Sequence, residues 1–409
     1  MGAVLHISRR AVSYFLYYSY MKYLLSLILA FSLIVPMGAQ AASNLEVSGW
    51  IPYWAVSKGV KDAKAHLNDL AMIHPFGYTV KTDGSLNDEA KLTNRTWKDL
   101  FSAAKKKGVK VVPTVMWSDR ANMGRILSDP TLRKEHVAAV AAAVKKGGFD
   151  GIDIDYENKA AETRDDYSAF LRELDTALGK GKILSCTIEA RTPPESLYRV
   201  VPANLEYAND YAVIGSVCDR VNIMAYDQGR ADWKLNDARS GTPYIPVGDI
   251  DWARKVLELA MRSIPKEKIV LGVATYGSEY DLVVAPNWYK DYQKKWSLSH
   301  GYAEDVADDF NVTPSRNKAG EMSFTYLPKG VSIPSSYKAP KGTASGNIAA
   351  ARALAYANAT GKTVTIRIVS WSDGEAIGQK AALAEEFGLK GIAIFKLDGG
   401  ADRTLWREI

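Results

Sequence analysis

The stretch FDGIDIDYENK, residues 149–159, contains four carboxylates within eight positions of a strand-like segment: Asp150, Asp153, Asp155 and Glu157. Side chains alternate along a β-strand, so Asp153, Asp155 and Glu157 share one face while the apolar residues between them share the other. Asp150 has the opposite parity, and we expect it to be structural at the beginning of the strand. The pattern predicts a strand with one apolar and one acidic face.

Seven further apolar β-type runs occur along the chain, and amphipathic stretches separate them, which is typical of parallel βα units. Several helices are predicted to end before a strand with lysines followed by glycine, as in AAKKKGVKVV. Eight strands in this rhythm predict an α/β fold, a closed (β/α)₈ TIM barrel. The predicted strands cover residues 47–54, 73–80, 109–117, 149–157, 183–190, 220–227, 268–277 and 391–399.

The alternation of strands and helices is interrupted between the seventh and eighth strands, because residues 278–370 are too long a segment for one helix. This segment contains its own strand-like and helix-like runs, and we interpret it as a small inserted α+β subdomain. The stretch GEAIGQKAALAEEFG then resumes the barrel as its seventh helix. Residues 42–409 are therefore predicted to form one catalytic barrel with an insertion between strand 7 and helix 7.

The N-terminal segment has the features of an export signal. Lys22 precedes the apolar run YLLSLILAFSLIV, and AQA at 39–41 supplies the small residues that a signal peptidase cleaves after. We expect residues 1–41 to be removed and the mature protein to be secreted, with no stable membrane span; an uncleaved anchor is the alternative. Met21 is a second plausible start. No later segment is predicted to cross a membrane.

Composition and charge limit the classes of protein to which the chain can belong. The 409 residues are 47% hydrophobic, enough for a large core, and the formal net charge is +6. This mild positive balance suits an anionic polymer such as cell wall and is too weak to indicate nucleic acid. The two cysteines, Cys186 and Cys218, are too few for a disulfide framework; pairing is open in an oxidising compartment, but we favour buried free thiols.

Acids on the inward face of a barrel strand have a chemical consequence. Three carboxylates in a low-dielectric interior cannot all ionise cheaply, so protons are shared and at least one pKa rises. A proton donor that works near neutral pH needs such a raised pKa, and Glu157 lies at the C-terminal end of the strand, where barrel active sites form. The alternatives are turn-forming acids or a site for a hard cation. The spacing by two and the lack of a second acidic cluster favour catalysis, without metal or cofactor.

The segment DGIDIDYE resembles the DxxDxDxE signature of glycoside hydrolase family 18, the chitinase-like family. GWIPYW, FGYTVKTDGSL, MAYD and GVATYG are similar to that family's first, second, sixth and seventh strands, and a small α+β insertion is also a family feature. The resemblance implies that Glu157 is the general acid and base, that Asp155 orients the substrate's acetamido group, and that Asp153 shares a proton with Asp155. Tyr226 would hydrogen-bond the acetamido oxygen.

The same resemblance implies a subsite around the acetamido group. Asp227 and Met224 would line it, and Tyr276 is a further candidate; core packing is an alternative for Met224 and Tyr276. Chitin-degrading members usually carry tryptophan on the eighth strand as the floor of the reactive subsite, whereas this chain has Phe395. The third strand also lacks the SxGG pattern of chitinases. The chain looks more like the bacterial branch related to spore-germination and cell-wall hydrolases.

Further aromatic side chains are predicted at strand ends on the catalytic face, where sugar rings stack. Core packing is the alternative for each of them. These candidates are Trp50, Tyr53, Trp54 and Trp117.

The resemblance implies a retaining glycosidase that acts on β-linked N-acetylglucosamine-containing polysaccharide, peptidoglycan or chitin-type oligomers, by substrate-assisted catalysis. The export signal predicts that this enzyme is secreted, and we expect it to be a monomer. A catalytically silent chitinase-like lectin is the first alternative, and the presence of Glu157 argues against it. A metal-dependent hydrolase on the same barrel is the second.

Overall fold

The structure, a computed structural model, describes residues 45–409. Eight parallel strands form a closed barrel, because the first strand pairs with both the second and the eighth. The predicted TIM barrel is thus confirmed. In chain order the barrel strands are Glu46–Pro52, Met72–Val80, Thr114–Trp117, Gly151–Tyr156, Ile183–Glu189, Arg220–Met224, Ile269–Ala274 and Gly391–Phe395. Short strands Leu86–Asp88 and Lys110–Val111 pair with the second.

Helices cover the outside of the barrel and bury the apolar faces of its strands. The helix Pro130–Gly147, which precedes the acidic strand, begins at the capping side chain of Asp129 and ends at Gly148, whose φ of 63° suits glycine. The barrel helices and short helical turns are Val56–Ala65, Arg95–Lys106, Arg120–Ser128, Pro130–Gly147, Arg164–Leu178, Pro194–Leu197, Tyr211–Val217, Trp233–Ala238, Ile250–Ala260, Gly374–Phe387 and Leu405–Glu408.

Between the seventh and eighth barrel strands the chain forms a five-stranded sheet with antiparallel pairing. Its first strand begins at Tyr276, immediately after the seventh barrel strand, and Trp371 ends its last strand in the sequence. In chain order the strands are Tyr276–Ala285, Trp288–Ser299, Ser315–Arg316, Met322–Tyr326 and Val364–Trp371, with helices His300–Asp309 and Ile348–Thr360.

The two faces of the fourth barrel strand have the predicted alternation. Ile152, Ile154 and Tyr156 belong to the main hydrophobic core between strands and helices. Asp153 points into a polar barrel interior, where Thr114 and Ser185 lie beside it in register on the two neighbouring strands. The fully buried polar residues of this interior include Ser48, His74, Thr114, Asp153, Ser185, Arg220 and Asn222.

One expectation from the sequence is wrong: Cys186 and Cys218 form a disulfide rather than two free thiols. Cys186 lies on the fifth barrel strand, and Cys218 follows the helix that leads into the sixth. Because these strands are neighbours, the two Cα atoms lie 6.1 Å apart, within the range that a disulfide bridges.

Within residues 45–409 the structure has no helix of the length and apolar character needed to cross a membrane. The predicted signal peptide, residues 1–41, lies outside the described part of the chain.

Candidate active site

Asp153 is the buried anchor of the acidic strand. Its carboxylate accepts hydrogen bonds from five side chains on four barrel strands, because two of the donors lie on the fifth strand. The donors are Trp50 Nε1 (3.2 Å), Thr114 Oγ1 (2.8 Å), Ser185 Oγ (2.8 Å), Thr187 Oγ1 (2.8 Å) and Asn222 Nδ2 (3.3 Å).

Asp155 has a very different environment, although it lies only two residues along the same strand. Its carboxyl group is buried, and its Oδ1 has no hydrogen-bond partner within the described residues. Burial, followed by the negative charges of Glu157 and Asp153, raises the pKa of Asp155 well above its ordinary value. This shift favours the protonated form of the Asp155 carboxyl group. No hydrogen bond joins the side chains of Asp153 and Asp155 in residues 45–409, so a shared proton stays a prediction.

Glu157 follows the last strand residue and is half-buried at the C-terminal end of the barrel. Burial is the largest cause that raises its pKa; the charges of Glu189 and Asp227 raise it further, while the ammonium of Lys159 lowers it. A partly exposed carboxyl group with a raised pKa can donate a proton near neutral pH. This combination of position and chemistry makes Glu157 the strongest candidate acid.

Lys159 and Glu189 were not identified from the sequence, yet they lie beside the acids. The Lys159 side chain is 1% exposed, and its Nζ lies 3.6 Å from Glu189 Oε2. Nζ also donates to the carbonyl oxygen of Tyr156. Glu189 Oε1 in turn accepts from the backbone N–H of Asn158 (3.0 Å), the residue after Glu157. The ion pair thus joins the ends of the fourth and fifth strands around the candidate acid.

An aromatic pocket is formed by the ends of the sixth, seventh and eighth strands. The Tyr226 and Phe395 rings stack with their centroids 5.7 Å apart, and Tyr276 meets both rings edge-on. The Tyr276 hydroxyl donates to Asp227 Oδ2 at 2.7 Å. Burial, followed by the charge of Asp155, raises the pKa of Tyr226 well above its ordinary value, so its hydroxyl stays a donor. Met224 is half-buried at the end of the sixth strand.

The four strand-end aromatics divide into two pairs. Trp50 is 1% exposed and lies inside the barrel. Trp117 packs against His136 and Tyr156 in the core between the strands and the helices. Both rings are packed in the core, the alternative that the sequence left open for each of them. Trp54 is 53% exposed at the barrel mouth, with its ring 4.8 Å from that of the partly exposed Tyr53.

Trp54 also lines the largest cavity described, about 970 Å³. The cavity lies beside the ends of the first and eighth barrel strands and is bordered by the helix that begins at His300. Its other walls are polar, and they include Lys58, Asp398, Asp402 and Arg403. This open groove is large enough for sugar units beyond the aromatic pocket.

Metal ligation is not suggested by the geometry of the described residues. In residues 45–409 there is no group of three or more His, Cys, Asp or Glu side chains arranged to hold a metal ion. The Asp153 carboxylate is occupied instead by hydroxyl, amide and indole donors.

Comparisons with known proteins give the family of the chain. The model for glycosyl hydrolases family 18 matches residues 46–400. A cortical fragment-lytic enzyme of Bacillus anthracis is 30% identical over 157 residues, covering 38% of this chain and 33% of that enzyme. An uncharacterized glycosylase of Bacillus subtilis is 22% identical over 366 residues, covering 84% of this chain and 87% of the relative.

A solved structure adds evidence on the fold. The spore cortex-lytic enzyme SleL of Bacillus cereus superimposes with a TM-score of 0.65 at 22% identity, covering 89% of this chain and 73% of that one. The chain spans only about a third of the length of some curated relatives, as with the cortical fragment-lytic enzyme of Bacillus anthracis (33%). The family match nonetheless spans the whole barrel, and on that evidence the chain belongs to glycosyl hydrolases family 18.

Proposed function

We propose that this protein is a secreted retaining glycosidase that hydrolyses β-linked N-acetylglucosamine-containing glycans, with bacterial peptidoglycan preferred over chitin-type oligomers. The observation that carries the proposal is that three acids on one strand face have three different environments. Asp153 is held by five donors, Asp155 is buried with a raised pKa, and Glu157 is the accessible acid. The cortex-lytic names of two relatives favour peptidoglycan.

The placement of the acids suits substrate-assisted catalysis. An ordinary retaining glycosidase needs a nucleophilic carboxylate about 5 Å from the acid, across the scissile bond. Asp155 and Glu157 instead project from the same strand face, and family 18 is an exception in which the substrate supplies the nucleophile. Asp155 and Tyr226 would hold the 2-acetamido group at its N–H and its oxygen.

The reaction then proceeds in two balanced steps. The acetamido oxygen attacks the anomeric carbon as the glycosidic bond breaks, and the leaving oxygen takes the proton of Glu157. This gives a cyclic oxazolinium ion, whose positive charge the Asp155 carboxyl group stabilises. In the second step the Glu157 carboxylate takes a proton from water, which attacks the anomeric carbon and restores the acetamido group with retained configuration.

The test uses the wild type and Glu157→Gln with purified peptidoglycan, chitin oligomers and a plain β-glucan. Glutamine keeps the shape of the side chain but has no transferable proton, so turnover should fall by roughly 10²-fold or more while oligosaccharide affinity persists. Product masses should show cleavage only of N-acetylated glycans, and a thiazoline mimic of the oxazolinium ion should inhibit.

Three results would contradict the proposal. Unchanged turnover of Glu157→Gln would mean that another group is the acid. Efficient cleavage of the plain β-glucan, or a sugar trapped covalently on a carboxylate, would rule out the substrate-assisted step.

A further inference from the structure

A second cavity, of about 330 Å³, lies next to the candidate acid. Its walls come from the ends of the fourth and fifth barrel strands and from the loop before the helix Tyr211–Val217. Lys159 and Glu189, the ion pair beside Glu157, line it together with Arg191, Tyr207 and Tyr211. The cavity therefore lies at the same end of the barrel as Glu157.

Arg191 is held in this cavity in an unusual way. Its guanidinium carbon lies 4.2 Å from the ring centre of Tyr207 and 3.9 Å from that of Tyr211. One hydrogen bond is made, from Nη1 to the carbonyl oxygen of Asn209 at 3.5 Å. Since a guanidinium has five N–H donors, most of its edge is left for a ligand. Two ring faces that fix a guanidinium preorganise it for the bidentate recognition of a carboxylate.

Arg191 makes no ion pair within 4 Å among residues 45–409. Lys159, which lines the same cavity, is by contrast paired with Glu189. The acidic Glu206 also lines the cavity, but it lies on the exposed rim. An anionic group that entered the cavity would therefore meet a guanidinium that makes no ion pair among the described residues.

The same walls hold a concentration of unsatisfied polar atoms. Ten buried side-chain atoms lack a hydrogen-bond partner in the described part of the chain, and four of them belong to residues of this cavity. A buried polar atom that nothing pairs with is destabilising, and a bound water molecule or ligand is one way in which such an atom is satisfied. The four are Thr192 Oγ1, Tyr207 Oη, Asn209 Oδ1 and Tyr211 Oη.

We propose that Arg191 binds a carboxylate carried by the sugar on the leaving-group side of the scissile bond. This inference rests on the proposed function. The acid must protonate the oxygen of the leaving sugar, so that sugar lies beside Glu157, and Glu189 on the cavity wall contacts the backbone of the next residue, Asn158. Muramic acid carries a lactyl ether that ends in a carboxyl group or a peptide, whereas the sugars of chitin have no acid. Arg191 thus selects peptidoglycan over chitin.

The test compares kcat/KM for wild type, Arg191→Gln, Arg191→Lys and Arg199→Gln. Arg199 is a matched control because it is exposed on the same loop, stacks on Trp233 and pairs with Asp237 outside the cavity. Three substrates of equal length are used: muramic acid-containing strands stripped of peptides, the same strands with peptides, and chitin oligomers. The two glycan preparations distinguish a lactyl carboxylate from a peptide carboxylate.

Arg191→Gln should lose about 10-fold or more on at least one muramic acid-containing substrate and less than about twofold on chitin oligomers. Arg191→Lys should fall between, because it keeps the charge without the planar fork. Arg199→Gln should match wild type throughout. Equal losses of Arg191→Gln on all three substrates, or no loss on any, would overturn the proposal.

Two further readouts separate the possible failures. Urea midpoints equal to that of wild type exclude a folding defect in the variants. If Arg191→Gln does not fold, Arg191→Lys replaces it in the comparison of kcat/KM. Wild-type cleavage of chitin oligomers alone would overturn the role of Arg191 and leave the glycosidase intact. Wild-type cleavage of none of the three glycans would instead contradict the proposed function itself.

Discussion

At the scale of single residues, the site depends on a buried lysine. The Lys159 ammonium contacts Glu189 and the Tyr156 carbonyl oxygen, and lies 4.8 Å from the Tyr167 ring centre. Burial is the main cause that lowers its pKa, whereas the charges of Glu189, Asp155 and Glu157 oppose that shift. Lys159 and Glu189 therefore act on the candidate acid with opposite signs: the lysine lowers the pKa of Glu157, and Glu189 raises it.

This opposition predicts opposite pH shifts in two variants. The general acid must be protonated, so kcat/KM falls as pH rises through its pKa. Lys159→Met removes a positive charge, which raises the pKa of Glu157 and moves this alkaline limb to higher pH. Glu189→Gln removes a negative charge and moves the limb to lower pH. Each shift should be roughly half to one pH unit, measured from kcat/KM between pH 4 and 9.

A merely structural ion pair would behave differently. Loss of either partner would then lower kcat/KM by the same factor at every pH and would leave both limbs in place. Limbs that shift in the same direction in the two variants would also contradict the electrostatic account. Unfolding midpoints of both variants serve as the control for folding.

The sequence predicted the acids but not these partners, for a physical reason. Their spacing on an apolar strand makes Asp153, Asp155 and Glu157 recognisable in the sequence. Lys159 and Glu189 come together only because the ends of two neighbouring strands are adjacent in space. Glu189 has the parity of an inward residue on the fifth strand, which is the one local signal that marked it.

At the scale of elements, the fourth barrel strand approaches the fifth unusually closely at its beginning. A Cβ added at Gly151 would overlap the carbonyl oxygen of Ile183 and lie 2.7 Å from the Ile183 Cβ. The backbone cannot move aside without breaking the register between Gly151 and Ile183 that places Asp153 beside Ser185. Glycine is therefore required here by space.

Gly151→Ala should lower the free energy of unfolding by about 1–3 kcal/mol, as overpacking in a closed core does. Urea denaturation measures this loss. Gly108→Ala is a contrasting variant, because its Cβ would meet no atom within 4 Å and any cost would come from its φ of 76° alone. A Gly151→Ala protein as stable as wild type would show that the strand pair can adjust.

Strand alternation also explains which of the strand-end aromatics lie in the core. Trp117 pairs in register with Tyr156, whose ring faces the helices, and so Trp117 faces them too. Trp50 pairs with His74 and points into the barrel, where its indole binds Asp153. Both residues have strand-end positions in the sequence, but the register between strands, which fixes depth and direction, is a tertiary property.

At the scale of the whole molecule, the disulfide closes the segment that forms the second cavity. Cys186 and Cys218 are separated by 32 positions, and between them lie Glu189, Arg191 and the loop with Tyr207. The expectation of free thiols was wrong because the apolar strand around Cys186 does not indicate that Cys218, just before the next barrel strand, lies close to it in space. The bond ties the base of this segment to the barrel core.

Replacement of both cysteines by serine should therefore destabilise the protein by about 2–4 kcal/mol, chiefly because the unfolded chain loses a cross-link. Urea denaturation without reductant measures the effect, and wild type unfolded in excess dithiothreitol should reproduce it. Hydrogen exchange should localise the greatest loss of protection to residues 187–217. Because the Arg191 cavity lies in that segment, cleavage of muramic acid-containing glycan should fall more than cleavage of chitin oligomers. Equal urea midpoints for the variant and the oxidised wild type would show that the cross-link contributes nothing to stability.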